Sequence, residues 1–171
     1  VSIVFHWVIA VAVFAMFVLG LWMVSLDYYS TWYHTAPNIH KSIGVILVAV
    51  MLARLIWNAF NPKPQPLEDT PKLNAVAKTV HLVLYFLIFA LGLSGYLIST
   101  AESHPVYVFN WFEIPAIFEP IADQADRAGE IHEWIAFTLI GLVLLHALDA
   151  LKHHFVDKNN TLKRMFKPKT N

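Results

Sequence analysis

The sequence predicts an all-α fold, a bundle of four helices embedded in a membrane. Of its 171 residues, 57% are hydrophobic and only 14% are charged, whereas about a quarter of the residues of a typical soluble domain are charged. Helices of about twenty apolar residues cross a hydrocarbon core of roughly 30 Å, and continuous runs of that length are typical of helices rather than strands. The sequence contains four such runs within one predicted domain, 1–171, with helices at about 4–26, 39–60, 76–100 and 131–155.

Each predicted helix has its own supporting signal. The first run is too long for a signal peptide and lacks a small-residue cleavage pattern, so we expect it to be retained. The second follows "LDYYSTWYH", whose aromatic residues suit a membrane interface. The connector "NPKPQPLEDTPK" contains four prolines and separates the second run from the third as a semi-rigid linker. The long segment 101–130 is rich in aromatic residues and proline, which favours an ordered cap, with a short interfacial helix, before the fourth run.

The charges predict the orientation. Lysine and arginine are concentrated in the second connection and the C-terminal tail, whereas 101–130 is acidic. By the positive-inside rule, the basic segments and both termini are cytoplasmic, an N-in/C-in arrangement. Anionic lipid also accounts for the basic tail, and no nucleic-acid-binding or nucleotide-binding motif is present. The absence of cysteine excludes disulfides, covalent c-type haem and cysteine-ligated iron–sulfur clusters.

Histidines in the apolar runs are the main candidates for chemistry, because polar groups there are costly and usually functional or paired. His132 and His146 are fourteen residues apart, almost four helical turns, so both lie on nearly one face about 21 Å apart along the axis. His40 begins the second run at the outer level, and His6 begins the first run at the inner level. The spacing therefore predicts two pairs, His40 with His132 and His6 with His146.

A pair of imidazoles from facing helices is suited to bind a haem iron from both sides. A zinc ion usually takes four ligands, including cysteine or carboxylate, so haem fits the pairs better. A single membrane histidine is more often an interhelical hydrogen-bond donor, but four histidines paired at two depths favour a site that holds two haems.

Small residues and one cation support this interpretation. Glycine lets a macrocycle pack against backbone, although glycine is also common in membrane helices. Arg54 is fourteen residues after His40, at the inner level, where it can pair with a haem propionate or extend to the interface. Gly20 and Gly95 are predicted at the outer level, Gly44 lies one turn from His40, and Gly141 lies between the two histidines of the fourth run.

Several motifs resemble the bacterial cytochrome b561 family over essentially the whole chain: "SIVFHW", "NIHKSIGVILVAVMLARL", "HLVLYFLIFALGLSGYLIS", "IHEWIAFTLIGLVLLHALDALKHHF" and "DKNNTLKRM". The histidine layout is also similar to that of the cytochrome b subunits of formate dehydrogenases and nickel–iron hydrogenases. The resemblance implies four transmembrane helices in the bacterial inner membrane, two b-type haems and electron exchange with the quinone pool. Carried over to this sequence, the axial ligands are His6, His40, His132 and His146.

The motifs indicate the electron donor and acceptor less specifically than the haem scaffold. We expect a periplasmic donor at the outer haem and ubiquinone at the inner one, near His81, His153 and Asp149, because histidine supplies hydrogen bonds and protons near neutral pH. His81 bound to a propionate and His153 at the interface is the alternative. The family also includes superoxide:ubiquinone oxidoreductases, although the acidic outer segment disfavours steering of an anion. A non-redox membrane transporter or metal-binding protein is the alternative of another class.

Overall fold

A computed structural model describes residues 1–61, 71–158 and 166, with the side chains of 71–73 left out. The proline-rich connector and most of the basic tail therefore lie outside the described residues. Four long helices dominate: α1 (Ser2–Val24), α2 (Thr35–Phe60), α3 (Pro71–Ser99) and α4 (Gln124–Phe155). All four contain spans long and apolar enough to cross a membrane, with mean hydropathy of 2.0 or more. The predicted four-helix membrane fold is confirmed.

All four helices begin before the apolar runs that predicted them. Helix α4 begins at Gln124, seven residues before the expected start, and α3 begins at Pro71, five residues early. Proline is well tolerated in a first helical turn, where its missing N–H needs no partner. The additional turn of α4, "QADRAGE", is polar, so it lies outside the apolar pattern even though it is helical. Hydropathy therefore marks the apolar part of a helix and not its end.

A β-hairpin stands where the sequence led us to expect a short interfacial helix. Strands β1 (Val106–Val108) and β2 (Phe112–Ile114) pair antiparallel. Val106 and Val108 are buried against the bundle while Tyr107 between them is exposed, which is the alternation of a strand with one covered face. The expected ordered cap is present, but the prediction of a short helix within it was wrong. A local pattern of three residues is too short to distinguish a helix from a strand.

Hydrogen bonds attach this cap to the helices. The Phe109 N–H donates to Ser42 Oγ on α2 at 3.0 Å. The Tyr96 hydroxyl on α3 donates to the Pro115 carbonyl at 2.8 Å and accepts from the Ile117 N–H at 2.9 Å. The cap is therefore fixed to two helices, and we call this end of the bundle the hairpin end.

The helices pack in a ring. Helix α1 packs against α2, α2 against α3, α3 most extensively against α4, and α4 against α1. Consecutive helices are antiparallel, since Gly20 near the end of α1 lies beside His40 at the start of α2. Residue Phe166 stacks on Trp7, with ring centroids 5.0 Å apart. His6 near the start of α1 lies within electrostatic range of His146 in the last third of α4, so these two segments lie at one end of the bundle, which we call the tail end.

A small apolar core separates the two ends. It consists of Ile9, Val13, Met51, Ile88 and Leu139. Leu139 is midway between His132 and His146 along α4, and Ile88 is midway between His81 and Gly95 along α3. Large apolar side chains on the outside, such as Val11 and Val18, are exposed, as expected of a surface that contacts lipid. The polar groups inside the bundle are therefore concentrated at two levels.

Candidate functional site: two histidine levels in a membrane bundle

A large cavity lies at the hairpin end. It encloses about 910 Å³, including its open mouth, and all four helices and β1 contribute to its walls. Apolar side chains form most of the lining, and the polar members come from His40, His132, Lys41, Tyr96 and Ser99. The cavity can therefore hold a large apolar group with a few polar contacts.

His40 and His132 face each other across this cavity. Their ring centroids are 6.2 Å apart. A metal held between two imidazoles requires about 2 Å to each nitrogen, and C–N bonds of about 1.33 Å put each nitrogen roughly 1.1 Å from its ring centre. These distances add up to about 6 Å. The two rings are thus separated by the space that one metal atom between them requires.

The hydrogen bonds of His132 determine which of its nitrogens is available. Ser94 Oγ lies 3.0 Å from His132 Nδ1 and donates its single proton to the carbonyls of Ala90 at 2.9 Å and Leu91 at 3.1 Å. With its proton directed to these carbonyls, the hydroxyl oxygen is placed to accept from Nδ1–H, which corresponds to the His132 tautomer that carries its proton on Nδ1. A neutral imidazole with a protonated Nδ1 has its lone pair on Nε2, and Nε2 is the atom that would bind a metal.

The surroundings of His40 are different. Its Nδ1 is buried and has no hydrogen-bond partner among the described residues. A Cβ added at Gly20 would lie 3.4 Å from His40 Cε1, and one added at Gly95 would lie 3.5 Å from His132 Cε1. Each imidazole thus packs against a glycine of the preceding helix, as the spacing predicted for the outer level.

The other two glycines behave differently. A Cβ at Gly44 would contact Met16 Cε at 3.5 Å, and Gly44 lines the cavity. Gly141 has no atom within 4 Å of an added Cβ and is absent from the cavity lining. The structure therefore brings Gly44 to the hairpin-end site and does not bring Gly141 there.

The tail end contains a second group of histidines. His81 and His146 are in ring contact, with centroids 5.2 Å apart. This is about 1 Å less than a metal between two imidazoles requires, so these two rings contact each other directly. His6 lies within electrostatic range of His146, His81 and Arg54. The predicted pair of His6 and His146 thus shares its level with His81 as a third imidazole.

Arg54 also lies at this level. Its guanidinium carbon is 5.5 Å from the Tyr85 ring centroid, a cation–π contact. Arg54 Nε is buried without a hydrogen-bond partner, and no carboxylate in the described part of the chain forms an ion pair with it. A half-buried cation with a buried, unused donor is suited to bind an anionic group such as a propionate.

Carboxylates surround His153 at the end of α4. Its Nδ1 lies 2.7 Å from Asp157 Oδ2, and its Nε2 lies 3.6 Å from Asp149 Oδ1. The His153 side chain is 21% exposed and Asp149 is more exposed. His153 and Asp149, singled out together from the sequence, are therefore neighbours, and Asp157 is a third member that the sequence analysis did not name.

Sequence reasoning missed two residues of the hairpin-end site. Ser94 is a hydroxyl in an apolar run, a signal that a membrane helix makes a polar contact there, but its partner is 38 residues away. Gly92 lines the cavity, and a Cβ there would lie only 2.5 Å from Val48 Cγ2. The spacing of three residues between Gly92 and Gly95, almost one turn, could have indicated that both glycines lie on one face of α3.

A membrane bundle of four helices with paired histidines inside defines a class, the membrane cytochromes. The family model described as prokaryotic cytochrome b561 matches residues 1–168. The chain belongs to this family, which implies b-type haem. The paired rings, the available His132 lone pair and the apolar cavity with its glycines fit a haem at the hairpin end.

Relatives agree with this assignment. The chain is 49% identical over 166 residues to cytochrome b561 homolog 2 of Escherichia coli (strain K12), covering 96% of this chain and 88% of that protein. It is 31% identical over 132 residues to probable superoxide oxidase CybB of Yersinia pestis, covering 77% and 74%. It is 29% identical over 137 residues to cytochrome b561 homolog 1 of Escherichia coli (strain K12), covering 80% and 77%.

Proposed function

We propose that this protein is a dihaem b-type cytochrome that carries electrons between a periplasmic donor and the quinone pool of the bacterial inner membrane. His40 and His132 hold one haem at the hairpin end, and His6 and His146 hold the other at the tail end. The observation that carries the proposal is the facing pair of His40 and His132, separated by the space of one metal atom in an apolar cavity. Each haem would supply a one-electron carrier.

The protein's own residues would perform three tasks. The imidazoles would hold the two groups about 21 Å apart along α4, fourteen residues at 1.5 Å each. The core of Ile9, Val13, Met51, Ile88 and Leu139 excludes water between the two levels. Arg54 would balance a propionate at the tail end. This arrangement supports electron transfer across most of the bilayer within one small bundle.

The ligand assignment is tested by removing one imidazole. His40→Ala should lose the haem at the hairpin end and retain the other, giving one pyridine haemochrome per chain instead of two. His34→Ala is the matched control, because His34 precedes α2 and does not line the cavity. Two intact low-spin haems in His40→Ala would contradict the pairing, and a colourless wild-type protein would favour the non-redox transporter or metal-binding alternative.

Within the described residues, that alternative has little geometric support. No group of three or more His, Cys, Asp or Glu side chains there is arranged to hold a metal ion. A tetrahedral zinc site would require at least three protein ligands. The paired imidazoles therefore favour a group that brings its own equatorial ligands, as a haem does.

We infer that ubiquinone binds at the tail end, near His81, His153 and Asp149. The support is the group around His153, whose imidazole lies between the carboxylates of Asp149 and Asp157 and can pass a proton to a quinone oxygen. His81→Ala with His153→Ala should slow reoxidation by ubiquinone analogues about tenfold, or 1.4 kcal/mol, while reduction by an outer donor persists. His154→Ala is the control, and unaltered reoxidation would place the quinone elsewhere.

Superoxide:ubiquinone oxidoreductase activity is the second candidate. A relative with 31% identity carries the name probable superoxide oxidase, and Lys41 places a cation in the cavity wall beside His40. The acidic residues of the segment 101–130 oppose steering of an anion. Rapid haem reduction on mixing with superoxide, which weakens with rising ionic strength and in Lys41→Met, would favour this candidate over another donor.

A further inference from the structure

The two imidazoles at the hairpin end are unequal. His132 Nδ1 contacts Ser94 Oγ at 3.0 Å, and the Leu91 carbonyl is also within hydrogen-bonding reach of the ring. His40 Nδ1 has no partner among the described residues. Ser94 is only 5% exposed, so water does not take its place. One ring is therefore held by the protein and the other is not.

We propose that Ser94 is a positioning residue for His132, one that fixes its tautomer and adjusts the reduction potential of the hairpin-end haem. The inference rests on the proposed function, since it requires His132 to be a ligand. Ser94 Oγ–H is directed to the carbonyls of Ala90 and Leu91, so its oxygen can only accept from Nδ1–H. This bond leaves the Nε2 lone pair for iron and raises the basicity of the ligand.

The sign of the effect follows from this basicity. A more basic imidazole stabilises the ferric state over the ferrous state, so the Ser94 hydroxyl lowers the potential. Ser94→Ala removes the acceptor, and the Leu91 carbonyl retains part of the interaction. The ratio of reduced to oxidised hairpin-end haem at a fixed ambient potential should therefore rise about threefold, a shift of about 28 mV for a one-electron couple at 59 mV per tenfold change.

The experiment is a potentiometric titration of the purified two-haem protein, with the low-spin ferric signals followed by electron paramagnetic resonance. Ser94→Ala should shift the potential and the signal of the hairpin-end haem and leave the tail-end haem unchanged. Ser94→Thr keeps the hydroxyl and should retain the wild-type potential. Thr100→Ala is the matched control, because Thr100 directly after α3 is also buried, its Oγ1 donates to the Tyr96 carbonyl at 2.9 Å, and it does not line the cavity.

The outcomes separate this inference from the proposed function. A wild-type potential in Ser94→Ala, with both haems bound, would overturn the role of Ser94 and leave the haem assignment intact. An equal shift in Thr100→Ala would also overturn it, because the effect would then be a general loss of packing. Absence of a bis-histidine haem signal from the wild-type protein would instead refute the proposed function.

Discussion

At the residue scale, the single polar side chains inside the bundle are the groups most closely tied to the proposed function. Each has a free-energy cost in an apolar environment unless it is paired. Ser94 and His132 satisfy each other, and His153 has two carboxylate neighbours. Among the described residues, Arg54 contacts the face of Tyr85 and its buried Nε has no hydrogen-bond partner, which makes it a candidate for binding a further anionic group.

We therefore expect Arg54→Leu to lower the potential of the tail-end haem by on the order of 60 mV, the equivalent of a tenfold change for one electron. Loss of a nearby positive charge favours the oxidised form, which carries one more positive charge than the reduced form. Redox titration measures the shift, and Arg54→Lys should retain most of the wild-type potential. An unchanged potential in a folded Arg54→Leu protein would indicate that Arg54 serves only packing.

At the scale of elements, close approach between α2 and α3 shapes the wall of the hairpin-end cavity. A Cβ at Gly92 would lie 2.5 Å from Val48 Cγ2, a distance at which the Val48 side chain or one of the two helices must shift. Ser42 on α2 supports the cap from the same side by bonding the Phe109 N–H. Helix α2 is therefore positioned by the contact of its Val48 with Gly92 on α3 and by the hydrogen bond of its Ser42 with the hairpin.

Gly92→Ala should lower the free energy of unfolding by about 1–3 kcal/mol, the usual cost of overpacking. Val48→Ala in the same chain should recover much of that loss, because it removes the methyl groups that the new Cβ meets. Thermal unfolding in detergent, followed by circular dichroism, measures both. Gly129→Ala is the control: its Cβ meets nothing within 4 Å, and alanine favours a helix by about 1 kcal/mol. Destabilisation of Gly129→Ala as large as that of Gly92→Ala would contradict the contact argument.

At the scale of the whole molecule, the two ends of the bundle differ in kind. The hairpin end carries β1 and β2, of which β1 packs on α2, and its cavity contains His40 and His132. The tail end brings together the start of α1 and the end of α4, with three histidines and Arg54. This difference matches a donor on one side of the membrane and quinone on the other, provided the hairpin faces the periplasm.

The orientation is directly measurable, because the sequence contains no cysteine. Trp111 in the hairpin loop is 76% exposed and Val156 after α4 is 69% exposed. Trp111→Cys should react with a membrane-impermeant maleimide on intact spheroplasts, whereas Val156→Cys should react only after permeabilisation. The positive-inside rule gives the expected direction. The opposite labelling pattern would place the hairpin in the cytoplasm and reverse the proposed direction of transfer.

The sequence by itself determined the features that depend on local geometry. The apolar part of each helix follows from the apolar runs, and the fourteen-residue spacing sets the separation of the histidines in depth because the rise per residue is constant. His40 and His132 accordingly lie at one level, with Gly20 and Gly95 beside them. The apolar pattern did not reveal the polar first turns of α4, since they lie outside the apolar run.

Only the tertiary structure decided which faces of the helices meet. The rotation of one helix against another depends on packing between residues far apart in sequence, as in the contacts of Ser94 with His132 and of Gly92 with Val48. The direct contact of His81 with His146 has the same origin. The hairpin likewise depends on partners such as Ser42, 67 residues from Phe109. Depth along a helix is a local property, whereas the partner at that depth is set by the packing of the whole bundle.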